Sequence, residues 1–266
     1  MCYNPIMLDI PVVILAGGFG SRISEETSDK PKPLIEIGGT PIISHIIDIF
    51  AYQGFKNFIV CTGYKYSQLN EYFINFAVRQ KKIEVNLNSG KFRNLDKTKK
   101  EINIKLVYTG HNSNTGHRIK LIKEYIKKGS KFLFTYGDGL ADINLKKLFQ
   151  SHKISKKIGT ISVYNYNSKY GYISLKDKLV KSFDEKPKLK NNFINIGFGI
   201  FNYSIFDYIK DKDIFEIDTL QRLIKKEQLS AYLHEGKFNS MDSLRDKMKL
   251  EEIFMNDPYW VKNDII

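Results

Sequence analysis

The sequence predicts an α/β fold: a doubly wound, mostly parallel sheet with an additional small antiparallel sheet. Three observations carry this expectation. Val12-Val13-Ile14-Leu15 is an apolar run without a polar break, as in a strand buried on both faces. Strand and helix patterns alternate through the first third of the chain, which is the mark of parallel pairing. Strand patterns then dominate residues 158–201, and these supply the antiparallel part.

The first strand runs into Gly17-Gly18-Phe19-Gly20-Ser21-Arg22, with Lys30-Pro31-Lys32-Pro33 a few residues on. Glycines let the backbone approach a ligand, and successive amide N–H groups in such a turn form a concave anion site. Arg22 adds a planar, permanently charged fork and Lys32 a point charge. The loop has neither the Gly-Lys-Ser/Thr ending of an NTPase phosphate loop nor GxGxxG spacing. The plainer alternative is a tight strand-to-helix turn with solvated charges. Against it, two prolines stiffen a segment with no structural need for stiffness.

Residues 35–41 read as a short strand and turn, with Thr40 as helix cap and Pro41 as first helical residue. Ile42, Ile43, Ile46, Ile47 and Phe50 fall at helical spacing, and Gly54 stops the helix. A strand at 58–62 and a helix near 67–78 follow. Ile83, Val85 and Leu87 read as one arm of a hairpin and Ile102, Ile104 and Leu106 as the other. The Lys-rich stretch 88–100 between them is expected to be an exposed loop, a flap or a subunit contact. The polar turn 109–116 feeds a helix at 118–127. Lys131–Tyr136 is a second buried strand, ending in Gly137-Asp138-Gly139, with Asp142 placed to cap the next helix. Helices are expected at 203–209 and 218–226, a strand at 229–233, and a last helix after Met241-Asp242-Ser243. No linker or repeat divides the chain, so residues 1–266 are expected to form a single domain.

A 42% hydrophobic and 13% aromatic composition suffices for a substantial core. The net charge of +13 raises the question of nucleic acid, but most of the basic residues are Lys scattered along the chain. No nucleic-acid partner is therefore expected, and anionic small molecules fit the same charge. Cys2 and Cys61 make neither a disulfide framework nor a metal-ligand spacing. The first eleven residues lack an export signal, and no apolar run is long enough to span a bilayer, so a cytoplasmic location without a membrane partner is expected.

In open α/β sheets ligands bind beyond the carboxyl ends of the strands. The glycine loop, the 112–116 turn and Gly137-Asp138-Gly139 all fall there. Asp138 has no evident structural partner, and a carboxylate facing a phosphate loop needs an intervening cation, for which Mg²⁺ is the usual choice. Its alternative is a turn aspartate capping its own backbone. No serine elbow, placed cysteine or metal-spaced histidine pair is present, and His45, His117 and His152 read as structural or solvated. A site with a phosphate loop, two cations and one or two metal-binding aspartates but no base suits a nucleophile that is already ionised. A phosphate monoester is one, its second pKa being about 6. Its attack on the α-phosphorus of a nucleoside triphosphate needs positioning and charge neutralisation more than proton transfer.

Taken together, 15–22, 30–33, Tyr136-Gly137-Asp138-Gly139, Glu185-Lys186-Pro187 and Met241-Asp242-Ser243 resemble the sugar-1-phosphate nucleotidylyltransferases. The likeness runs from about 11 to 254 and is narrowest to the members that use CTP and glucose 1-phosphate. Ser24-Glu25-Glu26-Thr27, 132–139, 241–247 and Ser113-Asn114-Thr115-Gly116-His117-Arg118 carry that narrower match. The resemblance implies a Rossmann-like nucleotidyltransferase fold, CTP and a sugar 1-phosphate as substrates, Mg²⁺ as cofactor, and a homo-oligomer. It implies that Leu15, Ala16, Gly17, Gly18, Phe19, Gly20, Ser21 and Arg22 hold the nucleotide, with Gly137 touching it. Ser113 and Arg118 would belong to the cytosine pocket. Arg22 and Lys32 would stabilise the triphosphate, Asp138 and Asp242 would share the metal, and Glu185, Lys186 and Asn195 would meet the sugar phosphate, with Lys186 acting on its anionic oxygens.

Three departures fall on the acceptor side. Asn195-Ile196-Gly197 stands where the family has Asn-Gly-Gly, Tyr170-Gly171-Tyr172-Ile173 where it has Phe-Gly-Ala-Leu, and Asn239-Ser240 where it has an aromatic residue and proline. Pocket volume and donors are expected to differ accordingly. Another nucleotide, another phosphorylated acceptor, or a non-catalytic nucleotide sensor on the same scaffold remain the alternatives. An RNA-binding protein is a further one, and it would bind with steep salt dependence.

Overall fold

The computed structural model describes residues 9–76, 83–94, 101–165, 172–185 and 192–261. Among them, seven strands make one large sheet: β1 Val12–Leu15, β2 Asn57–Thr62, β3 Asn103–Tyr108, β4 Lys131–Tyr136, β5 Gly159–Asn165, β6 Phe193–Asn202 and β7 Leu229–His234. Their spatial order is β7-β5-β6-β4-β1-β2-β3. Neighbours pair in parallel throughout, except that β6 runs antiparallel to both β4 and β5. The helices are α1 Ile42–Tyr52, α2 Tyr66–Ile74, α3 Thr115–Leu121, α4 Leu145–Ser155, α5 Leu220–Lys225 and α6 Leu244–Asn256, with shorter turns between.

β1 lies inside the sheet, between β4 and β2, and all four of its side chains are apolar and buried. Val12 and Ile14 enter the core on one face, with Ile42, Ile46 and Phe50 of α1 and the buried Trp260. Val13 and Leu15 enter the core on the other, with Ile119 of α3, Phe134, Phe206 and Phe215. Burying each such aliphatic side chain contributes about 1.5–3 kcal/mol relative to exposure. Chain order runs outward from β1 through β2 and β3 on one side and resumes at β4 on the other. The switch point therefore lies beyond the carboxyl ends of β1 and β4, where the Gly137 N–H donates to Leu15 O at 2.9 Å.

The expected helix stop at Gly54 is present: its φ is 95° and its N–H donates to Ala51 O. The start differs. Thr40 pairs with Ile37 in a two-residue bridge, Pro41 precedes the first helical residue, and no side chain caps. The backbone of the small hairpin fixes how the chain enters α1. Asp142 does not cap α4 either. Asn144 does, accepting from Lys147 N–H at 2.9 Å, while Asp142 accepts from Lys237 N–H at 2.6 Å and faces His234.

The hairpin expected between Ile83 and Leu106 is also repartnered. Ile83–Val85 pairs with Phe92–Asn94, and Asn103–Tyr108 joins the large sheet as its edge, parallel to β2. Alternating Ile102, Ile104 and Leu106 marks a strand covered on one face, but alternation is blind to the identity of the partner. The small antiparallel sheet is present as a ribbon of Tyr172–Lys176 and Leu179–Asp184. Gly159–Asn165 and Phe193–Asn202 instead extend the large sheet.

One irregularity shapes the site. Ile161 lies opposite Gly199, but Val163 lies opposite Asn195, so β6 bulges at 196–198. Gly197 sits at φ 81°, and a Cβ there would fall 2.4 Å from Cδ2 of Tyr136. The bulge presents Asn195 and Ile196 beside the end of β4.

Candidate active site

The loop after β1 is held by its neighbours. Ala16 N–H donates to Cys61 O at 3.0 Å, and Gly17 O accepts from Tyr64 N–H at 3.1 Å. A Cβ at Gly17 would lie 2.3 Å from Nη1 of Arg118 and 2.9 Å from Gly63 N, so glycine is required by space. Gly20 is required by conformation: at φ 66° it starts the turn Ser21–Ile23, which aims Arg22 into the cleft.

Arg118 is 3% exposed and works beneath this loop. Its Nη2 donates to Gly17 O at 2.9 Å, and its Nη1 to Gly110 O and Thr109 Oγ1, both at 2.8 Å, and to Thr62 O at 3.2 Å. One guanidinium thus ties together the carboxyl ends of β1, β2 and β3. Burial pulls its pKa below the ordinary arginine value. Arg118 also borders the cleft, so the residue expected beside the base is the strut of the glycine loop as well.

The acidic pair is assembled by a second device. Gly139–Ala141 pairs antiparallel with Phe238–Ser240, and Met241 N–H donates to Asp138 O at 2.9 Å. This short ribbon brings Asp242 beside Asp138. Lys32, one residue past Pro31, is 13% exposed and sits between them: its ammonium is 2.6 Å from Asp138 Oδ2 and 3.1 Å from Asp242 Oδ1. Arg22 Nη1 lies 3.3 Å from the same Asp242 oxygen, and Ser240 Oγ donates to the other at 3.2 Å. Burial acts to raise the Asp242 pKa, but Lys32, Arg22 and Ser240 outweigh it and hold the carboxyl below its usual range. Two carboxylates that already share one cation fit Mg²⁺, which takes one or two carboxylates and completes its shell with phosphate oxygens and water. Among the described residues there is no cluster of three or more His, Cys, Asp or Glu that could hold a metal ion.

These groups line a cleft of about 790 Å³. Leu15, Ala16, Gly18, Gly20, Ser21, Arg22 and Lys32 form one wall, with Gly137 and Asp138 at its floor and Ser113, Arg118, Asn195 and Asp242 around it. Gly17 lies under the wall against Arg118. Phe19 turns outward, 46% exposed, against Tyr64 and His111. Glu185 directly follows the exposed ribbon, and Lys186 falls outside the described residues. Ile196, the bulky substitute for a glycine, is 3% exposed and belongs to the core as much as to the cleft.

Sequence reasoning quoted Tyr136 and Thr115 only as members of motifs, without a role, and did not single out Glu216. Glu216 Oε2 accepts from Thr115 Oγ1 at 2.8 Å, and its other oxygen accepts from the Tyr136 phenol. Burial, then the Glu216 carboxylate, drives the Tyr136 pKa up, so the phenol keeps its proton. Tyr136 opens the motif that contains Gly137-Asp138, but nothing in the local pattern around Glu216 marks it.

The model of the nucleotidyl transferase family matches residues 11–261. Glucose-1-phosphate cytidylyltransferase of Salmonella typhimurium is 40% identical over 243 residues, covering 91% of this chain and 95% of its own. Mannose-1-phosphate guanyltransferase of Saccharomyces cerevisiae is 27% identical, over 92% of this chain and 64% of its own. Among solved structures, HddC of Yersinia pseudotuberculosis complexed with GMP-PN superposes with a TM-score of 0.65 at 26% identity, covering 92% and 99% of the two chains. UDP-glucose pyrophosphorylase of Acinetobacter baumannii superposes at 0.69 with 16% identity, covering 94% of each, and shares the fold. With the glycine loop, the paired carboxylates and the sheet's switch point all in one cleft, the chain belongs to the nucleotidyl transferase family.

Proposed function

We propose that the cleft transfers the cytidylyl group of CTP to glucose 1-phosphate or a related sugar 1-phosphate, giving a CDP-sugar and pyrophosphate with Mg²⁺. The observation that carries this reading is the single Lys32 ammonium shared by Asp138 and Asp242, with Arg22 beside it. The glucose-1-phosphate cytidylyltransferase at 40% identity supports both the nucleotide and the acceptor.

In this reading a phosphate oxygen of the sugar phosphate attacks the α-phosphorus of CTP. The bond from that phosphorus to the oxygen bridging the β-phosphorus breaks, and pyrophosphate leaves with the electron pair. The Gly17–Gly20 amides and Arg22 hold the triphosphate, and Lys32 neutralises charge gathering on the departing pyrophosphate. Asp138 and Asp242 would hold Mg²⁺, which when bound offsets phosphate charge. No protein base is required, because the attacking oxygen is already ionised. Ser113 and Arg118 border the base; Asn195, Glu185 and Lys186 meet the acceptor. The reading further takes the chain as one domain that works in the cytoplasm as a homo-oligomer, with no nucleic-acid or membrane partner. Among the described residues no helix is long and apolar enough to cross a membrane.

Pyrophosphate release measured across four nucleoside triphosphates and a panel of sugar phosphates tests the proposal. Turnover with CTP and a hexose 1-phosphate is expected. Turnover with UTP or GTP alone would overturn the cytidine assignment, and none with any pair would leave a nucleotide sensor.

A further inference from the structure

The cleft holds three carboxylates among its described residues. Asp138 and Asp242 are each paired with a cation; Glu216 is paired with none, and meets only the hydroxyls of Thr115 and Tyr136. An uncompensated negative charge in a site that must accept a triphosphate raises the cost of binding. Something must hold it there.

Its setting is rigid. Glu216 lies in the π-helical turn Phe215–Thr219, a geometry that recurs at functional sites. That turn is fastened to the start of α3: Phe215 N–H donates to Thr115 Oγ1 at 2.9 Å, Gly116 N–H to Asp213 O at 3.0 Å, and Asn114 Nδ2 to Lys212 O at 2.8 Å. Asp213 is in turn clamped by Arg222 and Thr219. On the other side, the Tyr136 ring fills the space over Gly197, and the Asn195 side chain faces its phenol. One carboxylate thus bridges the 113–118 turn to the Asn195 side of the cleft.

A carboxylate is an acceptor only, and with one hydroxyl on each oxygen it keeps lone pairs to offer. Phosphate oxygens cannot use them. A neutral N–H or O–H donor can. We propose that Glu216 is a specificity-determining residue, accepting a hydrogen bond from a neutral donor of a bound substrate while Thr115 and Tyr136 fix its direction. The donor is the exocyclic amine of a pyrimidine or a hydroxyl of the sugar phosphate. The inference rests on the proposed reaction. A site built to receive a donor rejects analogues lacking it, because the buried acceptor is left unpaired.

The test compares wild type with Glu216→Gln, which keeps the shape and removes the charge. Initial rates are measured for CTP against UTP at fixed glucose 1-phosphate, and for glucose 1-phosphate against its singly deoxygenated analogues at fixed CTP. Calorimetric binding of the same compounds reads the contrast without turnover. A drop of about tenfold or more in the CTP/UTP ratio assigns the amine. A comparable drop in one hydroxyl/deoxy ratio assigns the sugar. Unchanged ratios in rate and affinity, with the variant melting like wild type, overturn the proposal. A wild type that turns over no pair but still discriminates in calorimetry sinks the reaction and not the role of Glu216. Should Glu216→Gln fail to fold, Thr115→Val and Tyr136→Phe keep the carboxylate and free its direction; loss of discrimination then supports the proposal, and intact discrimination overturns it.

Discussion

The Lys32 ammonium lies 2.6 Å from Oδ2 of Asp138, and the same nitrogen reaches Asp242 at 3.1 Å. Residues far apart in sequence meet at one charge, and the proposed reaction turns on that meeting. Lys32→Met removes the shared cation, leaves the two carboxylates to repel each other, and strips a charge from the departing pyrophosphate. Steady-state kinetics should show kcat/KM falling by about 10²–10³-fold, with the Asp242 carboxyl titrating higher by NMR. An unchanged kcat/KM would show that Lys32 is only a structural counter-ion.

Asp138→Asn keeps the turn between Gly137 and Gly139 but removes a charge that the proposed reaction assigns to the metal. Turnover should drop by about 100-fold or more, while the melting temperature shifts little. Parallel losses of activity and melting temperature would make the residue structural.

Arg118→Lys keeps the charge beneath the glycine loop and loses the fork that joins Gly17, Thr62 and Gly110. Carbonyls at the ends of three strands lose their donor, so denaturant unfolding should register about 1–3 kcal/mol of destabilisation. The KM for nucleotide should rise at the same time, because the amides of the loop drift. Wild-type stability in this variant would mean that water replaces the fork.

Asp48, a half-buried residue of α1, has a buried Oδ1 with no hydrogen-bond partner, and burial pushes its pKa up to about 7. The ordinary value is about 4. The folded state therefore binds a proton that the unfolded state releases between these values, and this group's contribution to stability falls as pH rises from about 4 to 7. Asp48→Asn should flatten that part of the stability profile and gain about 1–3 kcal/mol at pH 8. Chemical denaturation at a series of pH values decides it; a profile unchanged by the substitution would remove Asp48 as its source.

Much of this molecule was legible in its residues. Val12–Leu15 announces a doubly buried strand because its four side chains must be covered on both faces, and they are. Arg22, Lys32 and Asp138 could be read from charge placed at strand ends, since a parallel sheet directs those ends to one side. Asp242 needed the family likeness, because its approach to Asp138 depends on the ribbon between Gly139–Ala141 and Phe238–Ser240. The pairing of Asn103–Tyr108 was illegible for a related reason: a parallel edge strand is chosen by the sheet it joins, and alternation carries no record of it. Thr40 and Asp142 looked like caps by type, but tertiary partners claimed them first. Glu216 lay hidden because its partners, Thr115 and Tyr136, come from distant elements.

Phosphorus NMR of the protein with CTP, glucose 1-phosphate and Mg²⁺ tests the central claim most directly. The account predicts that the triphosphate and monoester signals are replaced together by a pyrophosphate diester and free pyrophosphate. Release of CDP and inorganic phosphate with glucose 1-phosphate left intact, or no change at all, would contradict it.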